Sequence, residues 1–186
     1  MVELILFPLI KLKIMKKVVF GAGLMFCLLA VFAFAPANQN TNPDPDPETK
    51  INWMTWEEAQ EAMEEEPKKM FIDIYTDWCG WCKRMDANTF TDEEVIEFMN
   101  ENFYAVKLDA EGQGDKEYLN KTLVFRSDAG RRGIHELAMV LLNGRLNYPS
   151  FVYLDKDQQS LKISPGYKTP AVILEEMKAI ASADTP

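Results

Sequence analysis

Apolar and polar positions along the chain follow patterns that predict both strands and helices. The segment KMFIDIYTDW, residues 69–78, is apolar on both alternating faces, which is typical of a central strand covered on both sides. FYAVKLDA, SFVYLD and SLKISPG are further strand candidates, and the polar turn 156–159 joins the last two. A short strand is also predicted around residues 51–53. These segments together predict a sheet.

Helices are indicated by capping residues followed by amphipathic runs. Two T-x-x-E patterns, which begin at Thr55 and Thr91, predict helices that open with a capping box. Pro67 is expected to end the first of them. A further helix is predicted to begin at the cysteines that follow residue 78. Thr169 precedes a proline and predicts the start of a closing helix, AVILEEMKAIA.

The stretch from residue 111 to 147 is harder to assign. We predict a short helix near residues 115–124, a basic turn SDAGRRG and an apolar helix IHELAMVLL. With the other segments this gives the order β-α-β-α-β-α-β-β-α, which predicts an α/β fold with a mixed central sheet flanked by helices.

An apolar run near the start of the chain bears on the cellular location of the protein. Residues 18–35 follow the basic pair at 16–17 and end in the small-x-small pattern APA, which is typical of a secretory signal. We assign residues 1–37 to a signal peptide, with Met15 as an alternative start. A retained membrane anchor is the alternative, because 18 apolar residues reach the lower end of the roughly 17–25 that span a bilayer. Either alternative places the folded part in an exported location, periplasmic or secreted.

The remaining chain divides into a linker and one domain. Residues 38–50 are rich in Pro, Asp and Asn and predict a disordered tether. Residues 51–186 have the length of a single domain. From residue 38 onward there are 16 basic and 28 acidic residues, a net charge of −12, which argues against nucleic acid as a partner. A membrane partner is expected only through an uncleaved N-terminal segment.

Two cysteines carry the candidate chemistry. Of the three cysteines, Cys27 lies in the apolar run, whereas Cys79 and Cys82 stand three apart in TDWCGWCKRM, where a strand meets a helix. Unpaired N–H groups at a helix N-terminus stabilise an anion and lower a cysteine pKa from about 8.5 into the range ~3.5–7.5. Cys79 is therefore the predicted nucleophile, accessible and partly ionised, and Cys82 the resolving thiol.

Zinc binding and a purely structural disulfide are the alternatives for this pair. A structural zinc site needs four ligands, and the other strong candidate ligand is the lone His135, which we interpret as a packed residue of an apolar helix. A disulfide that closes so short a loop removes little chain entropy from the unfolded state. Redox exchange is therefore the predicted chemistry of the pair, with no metal expected.

Beyond the cysteines, the chain resembles the thioredoxin superfamily. DWCGWCK is similar to its W-C-G-x-C-K active-site pattern, and Asp73 stands six residues before Cys79, as the buried acid of thioredoxins does. VKLD resembles the strand whose lysine accompanies that acid, which nominates Lys107. YPSFVYLD resembles the strand that begins with a cis proline facing the cysteines, which nominates Pro149 and Tyr148. The resemblance covers nearly the whole predicted domain.

The resemblance implies a thioredoxin-like fold and roles for individual residues. The chain departs from minimal thioredoxins in a longer segment between Lys107 and Pro149, which we expect to hold extra helix before the cis-proline strand. Catalytic roles would belong to the pair that forms the redox-active disulfide and to the acid and lysine, namely Cys79, Cys82, Asp73 and Lys107. Substrate contacts would belong to Trp78, Trp81, Tyr148 and Pro149. Asp73 is expected to be buried and to exchange a proton with Cys82. The alternatives without a function are that Asp73 faces solvent, that Lys107 is an unpaired strand residue and that the two tryptophans lie partly in the core.

The resulting hypothesis is an exported thiol-disulfide oxidoreductase that reduces or exchanges disulfides in other exported proteins. No cofactor is expected; since no G-x-G-x-x-G fingerprint is present, electrons would come from a donor protein or a small thiol. The alternatives are a non-catalytic binding or adaptor module, and an oxidase or isomerase with the same cysteines. Trp81 replaces the proline of the best-known motif, so the redox potential is not implied. The 111–147 segment is either decoration or part of a partner groove near Tyr148.

Overall fold

The structure is a computed structural model that describes residues 49–183. The predicted signal segment and the linker as far as residue 48 lie outside the described residues. The strands are β1 (Trp53–Met54), β2 (Met70–Tyr75), β3 (Tyr104–Asp109), β4 (Lys116–Tyr118), β5 (Lys121–Leu123), β6 (Phe125–Arg126), β7 (Ile134–His135), β8 (Ser150–Leu154) and β9 (Ser160–Pro165). The helices are α1 (Trp56–Glu65), α2 (Gly80–Asn88), α3 (Glu93–Asn102), α4 (Glu136–Leu141) and α5 (Pro170–Ser182).

Five of these strands form one mixed sheet in the order β1-β3-β2-β8-β9. β1 and β2 both pair with β3 in parallel, whereas β8 runs antiparallel to β2 and to β9. In the register, Asp73 of β2 lies opposite Lys107 of β3 on one side and Phe151 of β8 on the other. The predicted α/β fold with a mixed sheet is confirmed.

The central strand β2 divides the core into two apolar layers. Ile72 and Ile74 pack into one layer with α1 and α4, whereas Phe71 packs into the other with α2, α3 and α5. Since side chains alternate along a strand, Asp73 shares the face of Phe71. Fully burying an apolar side chain of this size stabilises the fold by roughly 1.5–3 kcal/mol. An acid in that layer needs a partner.

The capping signals were right for one helix and wrong by one residue for another. Thr55 and Glu58 form both halves of the capping box at α1. At α3 the cap is Asp92, whose side chain accepts a hydrogen bond from the backbone N–H of Val95 at 3.2 Å. The Thr91 hydroxyl instead donates to the carbonyl of Ala87 at 3.1 Å, because it lies close to the end of the preceding helix.

The helix predicted near residues 115–124 is wrong. This stretch forms the β4–β5 hairpin, in which Lys116 pairs with Leu123. Its two turn residues, Leu119 and Asn120, have φ values of 49° and 61°, and positive φ at both positions is what a tight two-residue hairpin turn requires. Asn120 tolerates that conformation. The hairpin was not predicted because β4 and β5 are short and polar, and so show no clear alternation of apolar and polar residues.

The rest of the inserted segment is held by a second strand pair and a short helix. β6 and β7 pair on either side of the basic turn, and α4 spans six residues, fewer than the apolar run suggests. Gly133 has φ +81°, and a Cβ there would lie 2.2 Å from the Phe125 ring, so any other residue would strain the backbone and displace that ring. Within residues 49–183, no helix has both the length and the apolar character to cross a membrane.

Candidate active site

The two cysteines of the TDWCGWCKRM segment lie at the N-terminus of α2 and are joined in a disulfide. Cys79 is the N-cap residue, and its Sγ accepts a hydrogen bond from the backbone N–H of Cys82 at 3.0 Å. The backbone N–H of Cys79 donates to the carbonyl of Thr76 at 3.0 Å, which fixes the turn between β2 and α2. The position predicted for the pair, at a strand-to-helix junction, is confirmed.

Both cysteines are more buried than the sequence suggested. Cys79 is 5% exposed and Cys82 is 2% exposed, so the expectation of a freely accessible Cys79 is wrong for this oxidised form. Cys79 is slightly the more exposed of the two, and the order in which they react stays a prediction.

Trp78 forms one rim of the site together with residues of the inserted segment. Its ring is 53% exposed and packs edge-on against Tyr148, with the centroids 6.0 Å apart. Its indole N–H donates to Oε1 of Glu111 at 2.8 Å, and the Arg132 guanidinium lies 5.9 Å from the ring centroid. We call these four residues the Trp78 rim. Glu111 and Arg132 of the inserted segment therefore reach the site.

The loop before β8 adds the predicted cis peptide. The Tyr148–Pro149 bond is cis, and the Pro149 carbonyl accepts a hydrogen bond from the backbone N–H of Gly166 at 2.8 Å. Burial, with Glu111 and then Asp109 nearby, raises the pKa of Tyr148 to about 12. The Tyr148 side chain is therefore neutral at physiological pH.

Trp81 forms a second rim that contains residues which sequence reasoning did not assign. Trp81 is 55% exposed, and its ring lies 5.5 Å from that of Tyr167. The Arg84 guanidinium lies 5.5 Å from the Trp81 centroid and 5.8 Å from the Tyr167 centroid. We call these three residues the Trp81 rim. Arg84 belongs to the basic pair that directly follows Cys82, and Tyr167 follows the glycine after β9, so both have a signal in the sequence.

A chain of three ionisable side chains lies on the α2 side of the sheet. Asp73 is 1% exposed and accepts a hydrogen bond on Oδ2 from Lys107 Nζ at 2.7 Å. Lys107 also donates to the half-exposed carboxylate of Asp86 on α2. The ammonium group lies within 5.5 Å of three aromatic ring centroids, those of Trp53, Tyr75 and Phe90. The expected burial of Asp73 and its pairing with Lys107 are confirmed.

Asp86 was missed by sequence reasoning. It follows Cys82 by four residues, and residues four apart lie on the same face of a helix, so the spacing was a usable signal. The same spacing places the chain of three on the Cys82 side of α2. Asp86 therefore connects a buried acid to the protein surface through one lysine.

The buried acid has an unusual proton affinity. Burial raises the pKa of Asp73 to about 6, Lys107 opposes that shift, and the negative charge of Asp86 adds to it. Burial lowers the pKa of Lys107, but its contacts with Asp73 and Asp86 outweigh that effect and the net change is upward. Asp73 can therefore take up or release a proton close to neutral pH while Lys107 keeps its charge.

His135 has a structural role, as its interpretation as a packed residue predicted. It is fully buried at the N-cap position of α4, where Nδ1 accepts a hydrogen bond from the backbone N–H of Leu137 at 3.0 Å. Its Nε2 lies 2.8 Å from the carbonyl oxygen of Gly114. Both ring nitrogens are used in holding the inserted segment together.

Comparison with known proteins agrees with this architecture. A family model described as "Thioredox_DsbH: Protein of unknown function, DUF255" matches residues 45–174. Spermatogenesis-associated protein 20 of Rattus norvegicus is 31% identical over 81 residues, which are 43% of this chain and 10% of that protein. An uncharacterized protein of Archaeoglobus fulgidus is 34% identical over 58 residues, 31% of this chain and 46% of that one. The match thus spans a tenth of the rat relative's length.

Solved structures share the fold at low sequence identity. A structure titled "DsbH Oxidoreductase" has a TM-score of 0.53 and 17% identity, and the match covers 80% of this chain and 96% of that one. A thioredoxin from Thermus thermophilus has a TM-score of 0.53 and 15% identity, with 72% and 88% covered. These likenesses show a thioredoxin fold, so the predicted resemblance is confirmed.

Proposed function

Because the chain belongs to the Thioredox_DsbH family, we propose that it is a thiol-disulfide oxidoreductase whose redox pair is Cys79 and Cys82. One observation carries this proposal: the two sulfurs are bonded at the N-terminus of α2, where the sulfur of Cys79 accepts the Cys82 backbone N–H. In the reduced protein that N–H and the helix dipole would stabilise a Cys79 thiolate.

The first step is attack of the Cys79 thiolate on a disulfide of the substrate. A bond forms between Cys79 Sγ and one substrate sulfur, and the other substrate sulfur leaves as a thiolate that takes a proton from solvent. The exposed indoles of Trp78 and Trp81 supply the apolar surface on which a polypeptide would lie during this step.

The second step releases the substrate. The Cys82 thiol gives its proton to the Asp73 carboxylate, and Cys82 Sγ attacks Cys79 Sγ. The protein's own disulfide forms again, and the second substrate sulfur leaves as a thiolate that takes up a proton, while Asp73 releases the proton it received from Cys82. Two electrons have then passed from the dithiol to the substrate. A dithiol protein or small thiol would return the pair to its reduced form.

We propose the reductive direction for the physiological reaction, with an oxidase or isomerase as the alternatives. The same residues serve all three, and the difference lies in the reduction potential of the pair. Equilibration with glutathione measures it: a value near about −270 mV fits a reductant and one near about −120 mV an oxidant.

Export is part of the proposal and is supported by the sequence of residues 1–37. The basic pair, the apolar run and the APA pattern favour a cleaved signal, which would deliver the domain to a compartment where disulfides form. The substrates would then be disulfides of other exported proteins. Sequencing the N-terminus of the full chain after expression separates cleavage after residue 37 from a retained anchor.

Insulin reduction by dithiothreitol tests the proposed activity. The wild-type chain should accelerate precipitation of the insulin B chain, and C79S should reduce the rate to the uncatalysed background. Pre-reduced C82S, mixed with insulin after removal of dithiothreitol, should retain the attack and accumulate a mixed disulfide that is visible by non-reducing electrophoresis. Circular dichroism of each variant checks folding. A wild-type chain no faster than dithiothreitol alone would favour the adaptor alternative.

A further inference from the structure

We propose that the Trp81 rim is a docking site for an acidic side chain of the partner polypeptide, with Arg84 as the residue that selects it. This inference rests on the proposed function and adds the class of substrate: polypeptides that carry Asp or Glu a few residues from the reacting cysteine. It concerns one side of the disulfide only.

The first support is the geometry of the rim. The guanidinium of Arg84 lies within 6 Å of the centroids of both Trp81 and Tyr167, whose rings are 5.5 Å apart, so the three side chains are in mutual contact. Cation–π contact on two rings restricts the arginine without using its N–H donors. The guanidinium is thus held against the ring of Trp81, the residue between Gly80 and Cys82, before any partner arrives.

The second support is that Arg84 has no acidic partner of its own. Within residues 49–183 its guanidinium forms no ion pair and no hydrogen bond to a carboxylate, although the chain has 29 acidic residues. Arg126 provides a contrast, since it binds the carboxylates of Asp128 at 2.9 Å and Glu136 at 3.2 Å. The donors of Arg84 are therefore available to a carboxylate from outside.

The third support is the difference between the two exposed indoles. The N–H of Trp78 is taken by Glu111, whereas among the described residues the N–H of Trp81 has no hydrogen-bond acceptor. A carboxylate above Arg84 could accept from that indole as well. Gly80 leaves open space next to the rim, since a Cβ there would meet nothing within 4 Å, so a partner chain can approach.

The chemistry of the rim favours a carboxylate on a polypeptide over other anions. A guanidinium matches a carboxylate in a two-point hydrogen bond, and the flanking rings reduce competition from water. An anionic membrane or a nucleic acid would instead need a broad basic surface, and this chain has a net charge of −9. One arginine between two aromatic rings suits one acidic side chain.

Three peptides that differ in charge test the inference. Each carries a single cysteine in a mixed disulfide with 2-mercaptoethanol, flanked by Glu, Gln or Lys in otherwise identical sequences. The pre-reduced full chain is mixed with each peptide in a single turnover, and release of the peptide thiol gives a second-order rate constant. The readout is the rate constant for the Glu peptide divided by that for the Gln peptide. A general loss of reactivity cancels in this ratio.

We expect the wild-type ratio to be roughly tenfold at low ionic strength, a difference of ~1.4 kcal/mol, and to fall when salt is added. R84Q should bring the ratio close to one, and R84K should keep part of it, because the charge remains without the two-point geometry. K156Q is the charge-matched control, since Lys156 is exposed and follows β8 at the end of the sheet away from the cysteines. It should keep the wild-type ratio.

A ratio near one in the wild-type chain, a preference for the Lys peptide, or an unchanged ratio in R84Q would overturn the inference while leaving the redox proposal intact. If no peptide reacts faster with the wild-type chain than with C79S, the redox proposal fails. Binding of peptides with Ser in place of Cys, measured by tryptophan fluorescence, then tests the docking site independently of the redox reaction. Tighter binding of the Glu peptide that is lost in R84Q would support it, and equal binding would overturn it.

Discussion

Two groups of side chains surround the Cys79–Cys82 disulfide, one buried and one exposed. On the buried side Asp73, Lys107 and Asp86 form a continuous chain of ion pairs whose inner end is almost fully shielded from solvent. On the exposed side the two tryptophans keep more than half of their surface in contact with water. The first group places charged side chains in apolar surroundings, and the second exposes large aromatic rings to water.

The difference separates two tasks. Burial strengthens electrostatic interactions, so Lys107 and Asp86 can change the pKa of Asp73. That pKa affects every exchange reaction alike, whatever the substrate. The exposed rims can be desolvated only by a partner, so their contribution depends on which partner binds. Substitutions on the buried side should change the pH dependence for all substrates, and substitutions on the rims should change the preference among substrates.

The largest effect is expected from D73N. Loss of the proton acceptor for Cys82 should slow disulfide exchange by roughly 100-fold or more, the usual range of a general base. In the wild-type chain the rate should rise as pH increases through about 6, because only the carboxylate form accepts the proton. The variant should lack that rise. Rates between pH 4.5 and 8 with the small neutral hydroxyethyl disulfide measure it.

D77N is the matched control for D73N, because Asp77 is an exposed carboxylate two residues before Cys79. It should retain the wild-type pH profile. A D73N rate profile that still rises through pH 6 would show that another group accepts the proton. That result would contradict the role of Asp73 as the proton acceptor for Cys82.

The next effect concerns the segment that supplies Glu111 and Arg132 to the Trp78 rim. G133A should lower the free energy of unfolding by roughly 2–4 kcal/mol, since a methyl group would overlap the Phe125 ring at a residue with positive φ. Urea denaturation measures it. G144A is the control, with φ +73° but open space around the added methyl group, and should cost only about 1 kcal/mol.

A smaller effect is expected from W78A. Removing an aromatic residue at the rim should reduce the rate on insulin about tenfold, as the loss of ~1.4 kcal/mol of contact would do. The rate on hydroxyethyl disulfide should fall less, because that molecule is too small to cover the rim. The ratio of the two rates is the measurement. Equal losses on both substrates would indicate that Trp78 acts through the geometry of the disulfide and would contradict the separation of tasks.

The smallest effect is expected from D86N. The negative charge of Asp86 raises the pKa of Asp73, so neutralising it should lower that pKa and move the rise in the rate profile to lower pH. The shift should be modest because the Asp86 carboxylate is half exposed and screened by water. The maximal rate should change little. A profile that moves to higher pH would mean that Asp86 acts mainly by holding Lys107 in place.

Several features were predictable because their signals are local in sequence. The capping box at Thr55, the doubly covered strand β2 and the cysteine pair at a helix N-terminus each depend on residues within one or two turns of one another. The position of Asp73 within an apolar strand also indicated a buried acid. Such patterns express backbone geometry directly, so they can be interpreted without knowledge of the packing.

The inserted segment shows where local signals were insufficient. A helix was predicted near residues 115–124, yet residues 116–123 form a hairpin whose turn contains Leu119 in a conformation that leucine rarely adopts. Packing of Tyr118 against Trp56, with ring centroids 5.6 Å apart, joins this hairpin to the first helix. Tyr118 and Trp56 are some sixty residues apart in the chain, so the local pattern of apolar residues contains no signal for their contact.

The sequence by itself therefore determined the class of fold, the two-layered core and the placement of the reactive sulfurs at a helix end. Only the tertiary structure decided which distant side chains meet around them: Asp86 at Lys107, Glu111 at Trp78 and Arg84 at Tyr167. The physical reason is that spacing along the chain specifies neighbours on one element. Contacts between elements depend on how whole layers pack, and that is a property of the complete folded chain.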